Sequence, residues 1–462
     1  MPIKHWIVIM MENRSFDHLL GYLKKLNSQI DGLTGDESNL YNPADPNSKR
    51  VFVNFNSPDV DPNAGHSVQA TTQQIFGSST ENKNFPPPMS GFVASAEGMS
   101  AGWGPEVLSC FNSTSLSVLS SLAMEFALFD HWFASVPGPT EINRAYLHSC
   151  SSHGLGDNDP TKLAEGIPGK TIFTSIGDAG YDWKIYYELL PAALFMQELR
   201  EYPENFHTLW DFYDDCEAGT LPTYSFIEPR YYTLDSDLLA NDQHPSHEIS
   251  QGELFLKKMY EAVRASPQWN QTALILTYDE HGGYYDHVPT PLDIPNPDGL
   301  NSTDPAFNFT RIGIRIPTVI ISPWVPKGTL VNKGSGPTPT SEFEHSSIAA
   351  TLKKVLNLPK FLTKRDEWAS TFESVFSLSE PRTDCPATLP DPYPFNLQKP
   401  NQHEQPIHEL QHNLLLMAQA LTGNKDDISP TITEREAGLF VEKQMKEWQT
   451  QAKALQENKV FL

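Results

Sequence analysis

Residues 273–283 read ALILTYDEHGG, an apolar run that ends in two carboxylates, a histidine and a glycine pair. Because residues 273–278 do not alternate between polar and apolar, they are typical of a strand that is covered on both faces. Carboxylate and imidazole groups bind cations, and paired glycines let the backbone approach a ligand closely. A turn with solvated charges is the alternative interpretation, but the segment predicts a buried strand that carries a functional cluster at its carboxyl end.

Three further apolar runs of this kind occur, and each is followed by polar residues. The runs are residues 6–11, 223–227 and 316–321. The groups that follow them are Glu12-Asn13, Glu228 and Ser322-Pro323-Trp324. In open α/β sheets, ligands bind beyond the carboxyl ends of the strands, so several strands that end in polar groups indicate one shared site.

The spacing of apolar residues over 246–266 fits a crossover helix. Strands alternating with such helices predict an α/β fold with a mostly parallel central sheet flanked by helices. The proline-rich stretch 289–305 shows no periodicity and closely follows the acidic cluster, which is typical of a lid or a substrate-binding segment.

A second proline-rich stretch, 381–400, is interpreted as a linker, and two helical patterns follow it over residues 407–421 and 431–455. We therefore expect a catalytic domain over residues 1–380 and a smaller helical region over residues 381–462. This division is a prediction from composition and periodicity alone.

The charge balance excludes whole classes of protein. The 462 residues include 33 Lys and Arg against 57 Asp and Glu, a formal net charge of −24. Such a surface repels nucleic acid, and it also repels anionic membranes unless a local patch intervenes. The sequence contains no apolar stretch of the roughly 18 residues that a membrane span requires, so an integral membrane protein is excluded.

The four cysteines form no CxxC pair, which excludes structural zinc of the finger type. Scattered cysteines are ordinary in a cytosolic chain, and the first residues lack the anatomy of a signal peptide. We expect a cytoplasmic protein, with secretion as an open alternative.

Residues 11–18 read MENRSFDH and hold the second group of candidates. Glu12 and Asn13 offer oxygen ligands for the same cation as the first cluster. Ser15 is expected to cap a helix that starts at Phe16, and Asp17 would then lie in its first turn, so a structural role is the better interpretation for both.

The third group lies in residues 134–144, which read ASVPGPTEINR. The Pro-Gly-Pro turn places Thr140 at the start of a helix, where backbone N–H groups stabilise an anion and a hydroxyl can lose its proton to a metal. Considered alone, Thr140 is simply an N-cap.

Three histidines complete the candidates: His66, His244 and His345. Each alone is expected to be structural or exposed. Together with the acidic residues, they could supply metal ligands and a proton donor.

These segments resemble a known family. Residues 12–18 are similar to the N-terminal signature of the phosphoesterase family that contains bacterial phosphatidylcholine-hydrolysing phospholipases C and related acid phosphatases. Residues 279–291, 241–247 and 342–348 are most similar to its plant-type branch, the non-specific phospholipases C. The matching motifs run in family order from residue 3 to about residue 386.

The resemblance implies an alkaline-phosphatase-like fold and a divalent metal ion of undetermined identity and number. It implies Thr140 as nucleophile and ligand. The ligands it implies are Glu12, Asn13, Thr140, Asp279 and Glu280. It carries over His66, His244 and His345 as catalytic residues, with His247, His281 and His287 as alternatives nearby.

The resemblance also implies hydrolysis of glycerophospholipids, such as phosphatidylcholine, to diacylglycerol and a phosphorylated head group. The alternatives are a metal-dependent acid phosphatase or phosphodiesterase acting on soluble esters, and a lipid-binding protein without catalysis. The expected partner is phospholipid at a membrane surface, contacted peripherally through the loop 289–305 or the C-terminal helices. The acidic surface favours zwitterionic head groups. The sequence indicates no oligomeric state.

Overall fold

The computed structural model describes residues 2–81, 85–395 and 402–460, with side chains as far as residue 456. Its largest feature is an eight-stranded sheet. The strands, in chain order, are β1 (His5–Met11), β2 (Ser38–Leu40), β3 (Arg50–Phe52), β4 (Ala127–Phe129), β5 (Trp132–Phe133), β6 (Trp183–Tyr187), β7 (Phe206–Thr208), β8 (Tyr224–Ile227), β9 (Thr272–Tyr278), β10 (Thr318–Ile321), β11 (Thr329–Val331) and β12 (Phe343–Glu344).

Helices fill most of the connections between the strands. The α-helices are α1 (Phe16–Leu20), α2 (Val68–Phe76), α3 (Phe92–Met99), α4 (Trp103–Glu106), α5 (Ser117–Glu125), α6 (Thr140–Ser149), α7 (Pro160–Glu165), α8 (Ile172–Asp178), α9 (Leu209–Ala218), α10 (Ile249–Ala265), α11 (Ser346–Val355), α12 (Lys364–Trp368), α13 (Glu409–Thr422) and α14 (Glu434–Val460). The crossover helix and the two C-terminal helices predicted from periodicity are confirmed as α10, α13 and α14.

The strand order in the large sheet is β11-β4-β10-β9-β1-β8-β6-β7. Within the described residues, β10 is antiparallel to both of its neighbours, and the other pairs in this sheet are parallel. The predicted α/β fold with a mostly parallel central sheet is confirmed. The five strands β9, β1, β8, β6 and β7 therefore present their carboxyl ends at one common edge.

Burial explains why the apolar runs form the centre of this sheet. All seven residues of β9 and all four of β8 are buried, and β1 is buried apart from its first residue. Strands of this kind need cover on both faces, and parallel sheets obtain it from crossover helices. Helices α5, α9 and α10 pack together, as do α6, α8 and α11.

The expectation that Ser322 joins the shared site is wrong. Because β10 runs against its neighbours, its carboxyl end lies at the opposite edge of the sheet. There Ser322 Oγ donates to the carbonyl oxygen of Thr272, the first residue of β9, at 2.8 Å. Trp324 Nε1 donates to the carbonyl oxygen of Asn270 at 2.8 Å. A short apolar run identifies a strand but carries no signal for its direction.

The C-terminal helices pack directly on the region that precedes α10. Tyr232 Oη donates to the carbonyl oxygen of Gln411 on α13 at 2.6 Å. The predicted linker follows α10 over its described part, where Tyr260 Oη donates to the carbonyl oxygen of Pro386 at 2.6 Å. Residues 396–400 of that linker lie outside the described residues. The division at residue 380 stays a prediction, as does the role of the loop 289–305.

Candidate active site

Two neighbouring strands end side by side and carry the acidic cluster. The parallel register of β1 against β9 brings the residues after each strand to the same level. There the Asn13 backbone N–H donates to Asp279 Oδ1 at 2.8 Å. Glu12, Asn13, Asp279 and Glu280 are all buried, with exposures of 0 to 1%. The sheet edge thus brings together four of the five predicted metal ligands, all except Thr140.

The glycine pair after Glu280 allows this close approach of two chains. Gly282 has φ +66°, and a Cβ atom at that position would lie 2.1 Å from the carbonyl oxygen of Asn13. Asn13 itself adopts a left-handed conformation with φ 53°, which asparagine tolerates better than most residues. Only glycine fits at residue 282 without displacing Asn13.

Helix α6 adds a hydroxyl and a guanidinium to the cluster. Thr140, its first residue, donates from Oγ1 to Asn13 Oδ1 at 3.1 Å. Arg144 lies one turn later on the same helix face and donates from Nη2 to Glu12 Oε1 at 2.5 Å. Arg144 Nε lies 3.9 Å from Asp279 Oδ2. The predicted nucleophile, Thr140, therefore contacts the predicted ligand Asn13. Arg144, which was not among the sequence candidates, links two other predicted ligands.

The donor set fits a divalent cation. Among the described residues, Arg144 is the cation that pairs with Glu12 and Asp279. With Glu280, the three buried carboxylates exceed this one cation by two negative charges when all are ionised. Among the described residues, no hydrogen-bond partner reaches Glu12 Oε2, Asp279 Oδ2 or Glu280 Oε1. Buried charges without partners are strongly unfavourable, and carboxylate, amide and hydroxyl oxygens are ligands of hard cations.

The protonation of the carboxylates reflects this crowding. Burial raises the pKa of Asp279 to about 6, against the opposing effect of Arg144 and with a further rise from Glu280. Burial, followed by the charge of Asp279, also raises the pKa of Glu12 well above its usual range. A bound cation would favour the ionised forms of both groups.

Two of the predicted catalytic histidines lie beside the carboxylates. His345 is buried and donates from Nε2 to the backbone oxygen of Asp279 at 2.7 Å, and burial lowers its pKa to about 4. His66 is half-buried, and its Nδ1 is 2.9 Å from the carbonyl oxygen of Ala64. Burial alone would lower the pKa of His66, but the carboxylates, that of Glu280 foremost, raise it.

The third predicted histidine, His244, belongs to a cluster that the C-terminal helices complete. Its Nδ1 lies 2.8 Å from Ser246 Oγ. The ring of His408, just before α13, stacks on it with centroids 3.9 Å apart and planes 5° apart. Next to them, His247 Nδ1 lies 2.7 Å from Asp242 Oδ1, and its Nε2 lies 3.4 Å from Glu434 Oε1 on α14.

His244, His247 and His408 bring ring nitrogens within 4.8 Å of one another, as metal ligands do. Their orientation opposes that role. Lone pairs lie in the ring plane, so the parallel rings of His244 and His408 cannot direct them at one ion. Burial would lower the pKa of His247, but Asp242 and Glu434 raise it well above its usual value, which keeps protons on both ring nitrogens.

A second acidic group, Asp17 with Asp286 and His287, also has the proximity of a metal site. Here a protein cation is already present. Arg315 donates from Nη2 to Asp17 Oδ1 at 3.0 Å and from Nε to Asp286 Oδ1 at 2.9 Å. His287 Nδ1 lies 2.6 Å from Asp17 Oδ2. The group is an ion-pair network that holds α1 to the segment after β9.

The hydroxyl groups at the starts of α1 and α6 have different roles. Ser15 caps α1, since its side chain accepts a hydrogen bond from the His18 N–H at 3.1 Å, so that prediction is confirmed. The N-cap interpretation of Thr140 is wrong. Helix α6 begins at Thr140 itself with Pro139 at the cap position, and the Thr140 hydroxyl is directed at Asn13 instead.

Two buried charged residues of α6, Arg144 and Glu141, were missed by sequence reasoning. Arg144 had a detectable signal, because it follows Thr140 by four residues and so lies on the same helix face. Glu141 had none. Its buried carboxylate accepts hydrogen bonds from Asn158 Nδ2 and, at 2.7 Å, from Asn413 Nδ2 on α13. Burial, followed by the charge of Glu409, raises the pKa of Glu141 to about 8.

Comparison with known proteins agrees with the motifs. The model of a family described as "Phosphoesterase family" matches residues 3–359. The chain belongs to the phosphoesterase family. Non-specific phospholipase C1 of Arabidopsis thaliana is 46% identical to this phosphoesterase over 453 residues, which cover 96% of this chain and 84% of the relative. Non-specific phospholipase C3 of the same plant is 45% identical over 442 residues, which cover 93% and 84%. The resemblance inferred from the motifs is confirmed.

Among solved structures, a protein in the alkaline phosphatase superfamily from Vibrio parahaemolyticus overlaps the phosphoesterase with a TM-score of 0.33 and 10% identity. The overlap covers 54% of this chain and 62% of that one. Since this overlap is partial, the family assignment rests on the sequence matches. Among the described residues, no helix combines the length and apolar character that crossing a membrane requires.

Proposed function

We propose that this phosphoesterase is a phospholipase C that hydrolyses glycerophospholipids such as phosphatidylcholine to diacylglycerol and a phosphorylated head group. The observation that carries the proposal is the Thr140 hydroxyl, 3.1 Å from Asn13 Oδ1 beside three buried carboxylates. The names of the relatives, non-specific phospholipases C at 45 to 46% identity, support phospholipid as the substrate class.

A divalent cation is part of the proposal, because the excess of two negative charges and the unpartnered carboxylate oxygens fit one. The residues that would hold it are Glu12, Asn13, Thr140, Asp279 and Glu280. When bound, such an ion would polarise a phosphoryl oxygen and lower the pKa of the Thr140 hydroxyl.

The chain's own groups divide the chemistry into two displacements. Thr140 releases its hydroxyl proton to solvent, its Oγ1 attacks phosphorus in line with the diacylglycerol oxygen, and the P–O bond to that oxygen breaks. In this proposal, His66 protonates the departing oxygen from Nε2, and the support for this role is that the carbonyl oxygen of Ala64 engages Nδ1. Such acid catalysis contributes roughly 10²- to 10⁴-fold. Water then cleaves the phosphothreonine, and two inversions give net retention at phosphorus.

Two further histidines position these groups. His345 holds the backbone of Asp279 through its Nε2, so it orients a ligand. His244 is stacked on His408, and its backbone N–H donates to Asp242 Oδ1 at 3.0 Å. The carbonyl oxygen of Asp242 in turn accepts a hydrogen bond from the backbone N–H of Glu12 at 2.9 Å. We assign both of them a positioning role in the pocket.

We propose a peripheral encounter with membranes from the cytosolic side. All four cysteines are buried and unpaired, as is usual in a reducing compartment. The net charge of −24 favours zwitterionic over anionic lipid surfaces.

Product analysis on phosphatidylcholine vesicles tests the proposal, with Thr140→Ala beside the wild type. We expect diacylglycerol and phosphocholine from the wild type and neither from the variant. Phosphatidic acid or fatty acid would show that a different bond is cut. Hydrolysis of p-nitrophenyl phosphate without any lipid product would favour a soluble phosphatase. Vesicle binding without hydrolysis of any ester would indicate a lipid-binding protein.

A further inference from the structure

A groove of about 710 Å³ lies apart from the catalytic carboxylates, between α9, α10 and α14. Its volume is within the range of ligand-binding clefts. Apolar and aromatic side chains form much of its lining: Leu189, Trp210, Tyr213, Leu238, Leu254 and Met445.

The groove opens at the same edge of the sheet as the catalytic cluster. Its lining includes residues directly after β6, such as Leu189, and directly after β7, such as Trp210. Leu238 and Asn241 belong to the segment after β8. Since β6, β7 and β8 are parallel to β1 and β9, these residues follow carboxyl ends, as Glu12 and Asp279 do. The groove and the catalytic cluster therefore lie at the same edge of the sheet.

Two apolar side chains of the groove are left in water. Trp210 on the first turn of α9 is 80% exposed, the highest value among the large apolar side chains of the described residues. Leu238 is 43% exposed. An indole at the rim of an apolar groove is the arrangement found where proteins meet the interfacial region of a bilayer.

The charged residues of the groove balance, in contrast to the net charge of −24 for the whole chain. Three cations and three carboxylates contribute to the lining: Arg230, Lys258, Lys446, Glu188, Asp237 and Glu442. A zwitterionic head group presents a phosphate and a quaternary ammonium side by side. Arg230 pairs with Glu188 at 2.5 Å and Lys446 with Glu442 at 2.6 Å, so Lys258 and Asp237 are the charges that the two groups of the lipid meet. The balanced lining also avoids the repulsion that the acidic remainder of the surface exerts on lipid phosphates.

We propose that this groove binds an acyl chain of a bilayer phospholipid, with Trp210 and Leu238 inserted at the level of the head groups. The inference rests on the proposed phospholipase function and adds the surface by which the enzyme holds its lipid interface. It places the contact on α9 and the loop after β8, with Met445 of α14 as the contribution of the C-terminal helices. The loop 289–305 takes no part in it.

The test compares the double variant Trp210→Ala, Leu238→Ala with Tyr181→Ala. Tyr181 is 40% exposed but precedes β6, at the opposite edge of the sheet, and serves as the matched control. Sedimentation with phosphatidylcholine vesicles should show partitioning weakened about tenfold or more in the double variant and unchanged in the control. Hydrolysis of soluble p-nitrophenylphosphorylcholine should be equal in all three proteins, which also shows that each is folded.

A second readout follows the indole directly. Vesicles with doxyl-labelled phosphatidylcholine should quench a fluorescence component in the wild type that Trp210→Ala lacks. The proposal is overturned if the double variant partitions to vesicles as the wild type does. It is also overturned if the wild type does not bind the vesicles. A changed oligomeric state in light scattering with unchanged partitioning overturns it in favour of a protein interface. Normal partitioning without diacylglycerol formation refutes the phospholipase assignment and leaves the lipid contact standing.

Discussion

His408 lies face to face on His244, with ring centroids 3.9 Å apart and planes 5° apart. The two residues come from opposite sides of the predicted domain division, so the C-terminal region packs directly on a predicted catalytic histidine. We expect His408→Ala to lower kcat/KM for a soluble phosphocholine diester by about tenfold, because a stacked pair contributes up to about 1.5 kcal/mol. His408→Phe should retain much of the wild-type kcat/KM, and the control variant His403→Ala should have the wild-type value. Equal losses in the Ala and Phe variants would show that stacking is not what matters.

Thr140→Ser should keep diester hydrolysis within about tenfold of the wild type, because the hydroxyl and its contact with Asn13 are retained. Thr140→Val preserves the shape without the hydroxyl and should be inactive. Steady-state assays on purified proteins check both. The nucleophile assignment would be wrong if the Val variant hydrolysed the diester.

Removal of divalent metal by a chelator should abolish hydrolysis and lower the Tm by several degrees, since an ion that binds only the folded state stabilises it. Calorimetry with and without chelator measures the shift. The Asp279→Asn variant should show no such shift in Tm on addition of chelator. The Asp286→Asn variant, which changes the ion-pair network, should show the full shift. A shift of equal size in both variants would place the ion elsewhere.

Among the described residues, Arg144 is the cation that pairs with Glu12 and Asp279, and its removal takes this partner from both carboxylates. In chelator, Arg144→Met should lose about 3 kcal/mol of unfolding free energy. Arg144→Lys should lose less, because the charge remains while the forked geometry is lost. A saturating concentration of divalent cation should reduce the loss of unfolding free energy in the Met variant, because the cation neutralises the same carboxylates. Denaturant titrations of the three proteins under both conditions provide the comparison.

The pairing of His287 with Asp17 predicts a pH-dependent stability. Burial would lower the pKa of His287, but Asp17 foremost raises it to about 10, above the usual 6.5. The stabilisation is therefore complete below pH 6.5 and is lost as the pH rises through 10. Between pH 6.5 and pH 10, the unfolding free energy of the wild type should fall by more than about 1 kcal/mol relative to that of His287→Asn. Thermal unfolding across that range measures it, and His131→Gln, which keeps the His287–Asp17 pair, should retain the wild-type slope.

Local signals explain which parts of the fold could be predicted. Unbroken apolar runs identified β1, β8 and β9, and the polar residues after two of them, Glu12 and Asp279, meet as expected because parallel strands end at one edge. Ser15 was readable as a cap because its partner is three residues away. These features depend on residues close in sequence or on a rule that holds for every parallel sheet.

The features that escaped prediction depend on the choice of distant neighbours. The direction of β10 is set by which strands flank it, so Ser322 was placed at the wrong edge. Glu141 meets Asn413 only because α13 folds back on α6, and no local pattern records that contact. Thr140 looked like a cap because its neighbours in sequence allow one, while its actual partner, Asn13, is 127 residues away.

The contact between His247 and Glu434 has a consequence for biosynthesis. The two residues are separated by 187 positions, so a ribosome that has just made His247 needs roughly 10 to 40 s to supply its second carboxylate partner. During that interval the nascent chain carries Glu12, Asn13 and Thr140 but not the carboxylate of Glu434. We therefore expect the site to be completed late in translation, because a chain that stops before α14 lacks the Glu434 partner of His247.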